Sequence, residues 1–382
     1  MSTNENKGKK AEVTALQAIS AEDRKDWISL AFVQAGICVC VPAFLLGALL
    51  AEAMPIWPAI ISGSLGYLIV VVGMVATGMI GCDLGLASCT CCQAGFGKSG
   101  ARFIVSTIFA VNMIGWFGIQ NGVCGEAFSN AMLAMTGWDI PVVVSNTIWG
   151  IIMLLTAVYG VHALEKLDKI SIPLLMIIMC YGIFLAFKVY GTGNLNDEGT
   201  VQSMSFMSGV ALSFNFTAVG TITGPDYTRF QKSRKDTVKS VFYGVFPMGV
   251  ITLIMGIVLT KLSGQYDISM VLIEVGLPLL GIIALVISTW TTNSTNAYSA
   301  GLNIVMALKL KDNRRREATL ISGIVGIVLC DLGILGHVEG VLSLLSYVVC
   351  PVGGVILADY WVVGKGLSLI HISEPTRPIS IS

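Results

Sequence analysis

The chain has 382 residues, of which 54% are hydrophobic and only 12% charged, and its mean hydropathy is +0.79. Soluble domains carry about 25% charged residues, so this composition excludes a water-soluble globule and indicates an integral membrane protein. The formal net charge is zero, which leaves no basic footprint for a nucleic-acid partner. Only three histidines occur, too few to favour a histidine-based catalytic or metal centre.

The predicted elements follow from the apolar runs. Residues 1–26 are polar and lack an apolar core, so we predict a cytoplasmic N-terminal tail without a cleavable signal peptide. Ten apolar runs follow, each long enough to cross ~30 Å of hydrocarbon as a helix of about 20 residues. We predict spans one to ten at 28–51, 57–81, 102–134, 140–161, 170–190, 204–224, 240–262, 277–308, 318–335 and 339–362.

The distribution of Lys and Arg sets the expected orientation. With the N-terminus inside, 20 of the 23 basic residues fall in inner segments, Lys188 and Lys261 fall in outer loops, and Arg377 lies in the C-terminal tail. Cytoplasmic loops of membrane proteins carry this excess of positive charge. We therefore predict a multi-pass plasma-membrane protein with a cytoplasmic N-terminus and the lipid bilayer as its surroundings.

Helix-breaking residues occur in two spans that lie five helices apart. In span one, Gly36 is expected to loosen the helix and Pro42 to break it. Span six ends in a segment with Gly220, Gly224 and Pro225. Broken helices in corresponding positions indicate a transporter built from two inverted five-helix repeats, here residues 27–190 and 191–366. The alternative is that these residues merely kink ordinary membrane helices.

Span three carries polar and aromatic residues at a spacing of four. Asn112, Trp116 and Gln120 therefore share one helix face. A flat aromatic wall with neighbouring amides suits a planar heterocycle, because the wall stacks on the ring and the amides read its edge. The alternative is that the amides join helices to one another.

Span eight contains a polar run from Ser288 to Asn296 inside an apolar helix. Such residues in a membrane must face protein or water. Ser288, Thr291 and Thr292 follow an i, i+3, i+4 spacing, and their oxygens, together with carbonyls freed by a broken helix, suit Na⁺ as ligands. A packing seam of hydroxyl groups is the alternative.

Two further groups of residues offer other chemistry. Glu126 in span three and Asp331 in span nine are candidate proton carriers, which keeps H⁺ open as the coupling ion. Four cysteines precede span three but lack the two-plus-two spacing of a zinc site: Cys82, Cys89, Cys91 and Cys92.

Four motifs in order along the chain resemble those of the nucleobase–cation symporter family. They are GWFG at 115–118, GPDYTRF at 224–230, WTTN at 290–293 with YSAG at 298–301, and PVGGVILADY at 351–360. The resemblance covers about residues 20–365. It implies an all-α leucine-transporter-type fold with alternating access. It also implies cation-coupled import of a nucleobase or related ring, with cytosine or a purine as the first expectation. Hydroxymethylpyrimidine, allantoin, hydantoin or an amino acid remain alternatives.

The resemblance also implies roles for individual residues. Trp116 matches the stacking tryptophan, Phe216 the second aromatic, and Gln120 and Asn293 the amides beside the substrate. We accordingly predict a ring sandwiched between Trp116 and Phe216, with Asn215, Asn293 and Gln120 at its edges and Asn112 nearby. Thr291, Thr292 and Ser288 match the sodium-site positions, completed by the carbonyls of Gly36 and Val39.

Two features depart from the family. Met113 stands where cytosine-transporting members have a glutamine, and Val39 and Cys40 replace aromatic residues in the break of span one. Family members have twelve spans, whereas this chain supplies ten, and residues 367–382 resemble a translated adapter sequence. We therefore expect a truncation after span ten and exclude 367–382 from the fold.

The sequence also argues against two rival functions, a membrane enzyme and a channel. We expect the protein to be a monomer. We expect it to have no catalytic residue and to bind no cofactor other than the coupling ion. A membrane enzyme would need a nucleophile and base, or a metal cluster, near the bilayer midplane. A channel would favour an open polar seam over paired broken helices.

Overall fold

The computed structural model describes residues 18–366, apart from 160, 193–194, 196–203, 266 and 312–313. The predicted non-native tail at 367–382 and most of the N-terminal tail lie outside these residues. Where the structure describes the chain, it is helical, and its β-structure is limited to one isolated bridge between Lys25 and Gln231.

Helices occupy all ten predicted spans. Their bounds are Trp27–Cys38 with Val41–Ala53 (span one), Ile56–Leu84 (two), Ser106–Thr136 (three), Val142–Tyr159 (four), Val161–Tyr190 (five), Phe206–Thr217 with Gly220–Thr228 (six), Arg234–Ser263 (seven), Pro278–Ala307 (eight), Arg315–Asp331 (nine) and Val338–Leu357 (ten). Short helices at Ser88–Cys91, Gln93–Gly100 and Ile268–Glu274 lie between them. A short π-helix at Ala101–Val105 precedes span three, and another at Ala358–Val363 extends span ten.

Among the described residues, six helices are long and apolar enough to cross a membrane. The number is seven if the two bent halves of span one are taken as one membrane-spanning segment. The helices of spans four and nine are short, and span eight carries its polar run. Span five begins at Val161, nine residues before the predicted 170. The segment ALEKL at 163–167 consists of strong helix formers, so its charges do not end the helix.

The break in span one lies at Val39 and Cys40, within the predicted segment from Gly36 to Pro42. The helical ladder ends with Val39 N–H donating to Ala35 O at 3.0 Å, and it resumes with Ala43 N–H donating to Cys40 O at 3.0 Å. The two halves are bent by 54°. Gly36 lies inside the first half and does not loosen it. Pro42 lies in the first turn of the second half, where its missing N–H would have no helical partner in any case.

Span six is divided into two helices at Ala218 and Val219, within the predicted segment, and its second half continues through Gly224 and Pro225. Pro225 cannot donate to the carbonyl of Thr221, four residues earlier. Instead, Thr77 Oγ1 from span two donates to Thr221 O at 2.7 Å. Gly224 permits this approach, since a Cβ there would lie 2.8 Å from Met74 O. Ala218 and Val219, which separate the two halves, keep helical dihedral angles.

The helices form two packing groups, each of which takes members from both sequence halves. Spans one, two, six and seven pack together, and spans three, four, eight and nine form the other group. Close backbone approach joins the first group: a Cβ at Gly244 in span seven would lie 2.6 Å from Ala31 O in span one. The second group is joined by bonds such as Ser294 Oγ to Met153 O at 3.0 Å.

Candidate functional site

A cavity of about 520 Å³ lies between the two packing groups. Trp116 and Phe216 line its middle, and it extends to Cys89, Asp226 and Arg229 at one end of the molecule. We call this end the basic face. It holds the N-terminal segment, the ends of spans two, six and eight, and their basic loop residues. Backbone bonds from Ile19 N–H to Gly85 O at 2.9 Å and from Lys25 N–H to Phe230 O at 2.6 Å hold these parts together.

The two predicted aromatic residues lie in direct contact with each other. The ring centroids of Trp116 and Phe216 are 5.1 Å apart at an interplanar angle of 86°, an edge-to-face arrangement. A sandwiched ring needs about 3.5–4.0 Å on each side, so these rings would have to separate and turn to hold a substrate between them. Both rings line the cavity, and the sandwich stays a prediction.

One face of span three lines the cavity, but it is rotated from the predicted one. It consists of Phe109, Met113, Trp116 and Gln120. Gln120 is almost fully buried, and among the described residues no donor reaches its Oε1. Asn112 is not among the residues that line the cavity, and its role beside the substrate stays a prediction. Its position on the helix lies to the side of this face, and its Oδ1 is buried without a partner among the described residues.

The other two predicted asparagines also lie outside the cavity and serve packing. Asn293 is fully buried and donates to Phe117 O at 3.1 Å. Asn215 donates to Ser343 Oγ at 3.1 Å. Both side chains therefore join helices. The polar wall on span eight is formed instead by Thr292, next to Asn293, and by residues nearer the basic face: Thr295, Asn296, Ser299 and Asn303.

The predicted sodium ligands of span eight share one acceptor. Thr291 Oγ1 and Thr292 Oγ1 both donate to Ser288 O at 3.1 Å. Ser288 Oγ is buried without a partner within the described part of the chain. Val39 at the break of span one packs in the same apolar cluster as Leu285, one turn before Ser288. The structure thus brings the break and span eight together, while the complete ligand set with the Gly36 and Val39 carbonyls stays a prediction.

The acidic candidates for proton transfer do not line the cavity. Asp331 accepts from Thr147 Oγ1 at 3.3 Å, and Glu126 lies on span three beyond Gln120. The carboxylate that does line the cavity is Asp226, whose Oδ1 accepts from Ser88 N–H at 2.8 Å.

The cysteines before span three form no metal-binding group within the described residues. Cys89 Sγ donates to Asn303 Oδ1 at 3.4 Å, and Cys91 Sγ donates to Leu86 O at 3.5 Å. Burial raises the pKa of both thiols well above the ordinary value, so they remain protonated and serve as weak donors.

Sequence reasoning missed two buried polar residues of the cavity. Gln34 on span one and Tyr67 on span two both line it and are fully buried. No described residue reaches Gln34 Oε1 or the Tyr67 hydroxyl. A lone amide in the apolar run of span one is a signal that could have identified Gln34. Tyr67 lies in an ordinary apolar helix, and the sequence around it carries no such signal.

Comparison with known proteins places the chain in a family. The family model described as permease for cytosine/purines, uracil, thiamine and allantoin matches residues 19–372. The cytosine permease of Escherichia coli strain K12 is 30% identical over 341 residues, covering 88% of this chain and 78% of the permease. A purine-uracil permease of Arabidopsis thaliana is 25% identical, covering 89% of this chain and 62% of that protein.

A solved structure agrees on the fold. Mhp1, a nucleobase-cation-symport-1 family transporter in a closed conformation with bromovinylhydantoin bound, superposes with a TM-score of 0.78 at 18% identity. The alignment covers 94% of this chain and 83% of Mhp1. Together with the family match and the cavity between two mixed packing groups, this makes the chain a helical membrane transporter that belongs to the cytosine/purine permease family of nucleobase–cation symporters.

Proposed function

We propose that the chain imports a planar nucleobase-type heterocycle, cytosine or a purine, across the plasma membrane in symport with Na⁺. The observation that carries this proposal is the cavity between the packing groups, where Trp116, Phe216 and the acceptor Gln120 Oε1 meet. Aromatic faces stack on any base, and a buried acceptor without a protein donor suits a ring N–H. The names of the relatives support the same class of substrate.

Transport follows from movement between the two groups of helices. In transporters of inverted repeats, one bundle rocks against the other around a fixed site. Here the spans that carry Phe216 and the break at Val39 belong to one group, while those that carry Trp116 and Thr292 belong to the other. A ligand that contacts both groups at once therefore favours their closure. The N-terminus lies on the cytoplasmic side in this proposal, and the monomer is the working unit.

Sodium would bind where span eight meets the break of span one. The ligands would be the carbonyl of Ser288, the hydroxyls of Thr291 and Thr292, and the carbonyls of Gly36 and Val39. This ligand set includes no carboxylate, so the bound ion keeps its charge. One Na⁺ cycled with a neutral base would make transport electrogenic, with ~2.3 kcal/mol per charge at 100 mV.

The test is uptake by purified protein in liposomes. Labelled cytosine, uracil, hypoxanthine, allantoin and hydroxymethylpyrimidine are offered at fixed pH, with Na⁺ or with choline in its place. We expect uptake of a nucleobase that requires Na⁺ and carries positive charge inward. Full uptake in choline, driven by an imposed pH gradient, would assign the coupling to H⁺. Absence of uptake of any ring compound would refute the proposed substrate class.

A further inference from the structure

We infer that the cavity contains a second substrate position, nearer the basic face than Trp116, where Gln34 Oε1 accepts a hydrogen bond from a ring N–H or amino group. This inference rests on the proposed function, because it takes the ligand to be the same planar, N–H-bearing heterocycle. It adds a position through which that ligand passes on its way between the central site and the basic face.

The state of Gln34 carries the inference. Its side chain is fully buried and lines the cavity, and its Nε2 donates to Leu30 O at 3.2 Å within its own helix. Within the described residues, no donor reaches Oε1. A buried acceptor left without a partner costs about 1–3 kcal/mol. A residue in a substrate cavity with this defect is suited to a ligand that brings the donor.

Gln34 cannot serve the same ring position as Gln120. It lies one turn, about 6 Å, before Cys38, the last residue of the first half of span one. Cys40, just beyond, packs in the same cluster as Trp116 and Phe216. Gln120 lies on the other side of Trp116, about 6 Å further from the basic face along span three. The two acceptors therefore flank the aromatic pair, further apart than one small ring extends.

An aromatic wall accompanies each of the two acceptors. Phe109, seven residues before Trp116, lines the cavity about 10 Å nearer the basic face along span three. Phe109 is thus displaced from Trp116 along span three toward the basic face, as Gln34 is from Cys40 along span one. A volume of about 520 Å³ lies within the ~300–1,000 Å³ of pockets for drug-sized ligands, far more than one small ring fills.

The experiment measures transport from each side separately. Membrane vesicles of both orientations are prepared with the full chain and with Gln34→Met, which keeps length and flexibility but removes the strong acceptor. Phe109→Leu is an independent variant in case Gln34→Met fails to fold. Val33→Ala, on the same helix as Gln34 but outside the cavity, is the matched control. The probe is labelled cytosine or, if the substrate panel selects another ring compound, that compound.

We expect Gln34→Met to raise KM from the basic face about 2- to 12-fold, the loss of one neutral hydrogen bond. KM from the opposite face should stay unchanged. The ratio of kcat/KM for the two directions equals the equilibrium constant of transport, which a substitution cannot change. If kcat and KM from the opposite face stay unchanged, kcat from the basic face should therefore rise by the same factor as its KM. A residue with a merely structural role would lower the rates in both directions.

Two results would overturn the inference. KM values that move together from both faces would place Gln34 in the central site, and KM values unchanged in both Gln34→Met and Phe109→Leu would remove it from the transport path. In both cases the unmodified chain still transports, so the proposed function survives. If the unmodified chain carries no ring compound from either side, the proposed function itself fails.

Discussion

At the scale of single residues, Trp116 is the side chain that we predict to stack on the substrate. It lines the cavity on span three, in edge contact with Phe216. Stacking of a base on an aromatic ring is worth about 1–3 kcal/mol. We expect Trp116→Ala to weaken binding of the transported base roughly 5- to 150-fold, measured as equilibrium binding to purified protein.

The control for this experiment is Trp57→Ala. Trp57 is 69% exposed and lies outside the cavity. Its replacement therefore measures how the loss of an indole ring away from the cavity affects binding. Unchanged affinity in Trp116→Ala would remove the stacking role from this residue.

A second prediction at this scale concerns the coupling ion. Thr292→Ala removes a hydroxyl that now donates to Ser288 O and that is proposed to turn toward Na⁺. We expect the concentration of Na⁺ at half-maximal uptake to rise, while the preference among bases is retained. Coupling requires that both ligands favour the same conformation, so added base should raise Na⁺ affinity by the factor by which Na⁺ raises base affinity.

Thr289→Ala is the matched control for the sodium prediction. Thr289 lies on the same helix, is fully buried, and does not line the substrate cavity. An equal change of Na⁺ dependence in both variants would show a general effect on span eight and reject Thr292 as a ligand.

At the scale of elements, close contact between spans one and seven holds the first packing group together. A Cβ at Gly244 would lie 2.6 Å from Ala31 O and 3.0 Å from Ala31 Cα. Both are backbone atoms of a helix and cannot turn aside. We expect Gly244→Val to lower the free energy of unfolding by about 1–3 kcal/mol or more, measured by thermal unfolding in detergent.

Gly354→Val in span ten is the matched control, because nothing lies within 4 Å of a Cβ built there. If both variants lose the same stability, the cost comes from valine in a helix and not from the contact with Ala31.

At the scale of the whole molecule, a polar cluster at the basic face joins span ten to the first packing group. Arg234 of span seven donates to Asp83 at the end of span two through Nε at 2.9 Å and Nη2 at 2.6 Å. The Tyr360 hydroxyl donates to the same carboxylate at 2.6 Å. The guanidinium lies 5.2 Å from the centre of the Trp361 ring.

Half-exposed ion pairs of this kind contribute little, about 0–1 kcal/mol, and Arg234 is 44% exposed. We expect Asp83→Asn to change the unfolding temperature of the protein only slightly, and less at high salt, where the charges are screened. Glu317→Gln, which removes the exposed partner of Arg314, is the control. A much larger loss for Asp83→Asn would show that the cluster stabilises the arrangement of span ten.

Much of the architecture could be predicted from the sequence, because the bilayer imposes it directly. Apolar runs must form helices, since unsatisfied backbone groups in lipid cost several kcal/mol each, and helices occupy all ten runs. Cys40 and Pro42 lie beside a true break for a local reason: proline starts a helix readily, whereas inside a helix it removes one hydrogen-bond donor. The four motifs were enough to identify the family, which the family match confirms.

Only the tertiary structure decided which polar residues reach the cavity. Spacing shows that Asn112, Trp116 and Gln120 share a helix face, but close packing sets the rotation of that helix, and Met113 takes the place of Asn112. Likewise, Pro225 should end a helix by local rules. A hydroxyl from Thr77, distant in sequence, supplies the missing donor. Local chemistry therefore determined the helices and the break in span one, whereas contacts between distant segments determined how the second half of span six passes through Pro225 and which faces line the site.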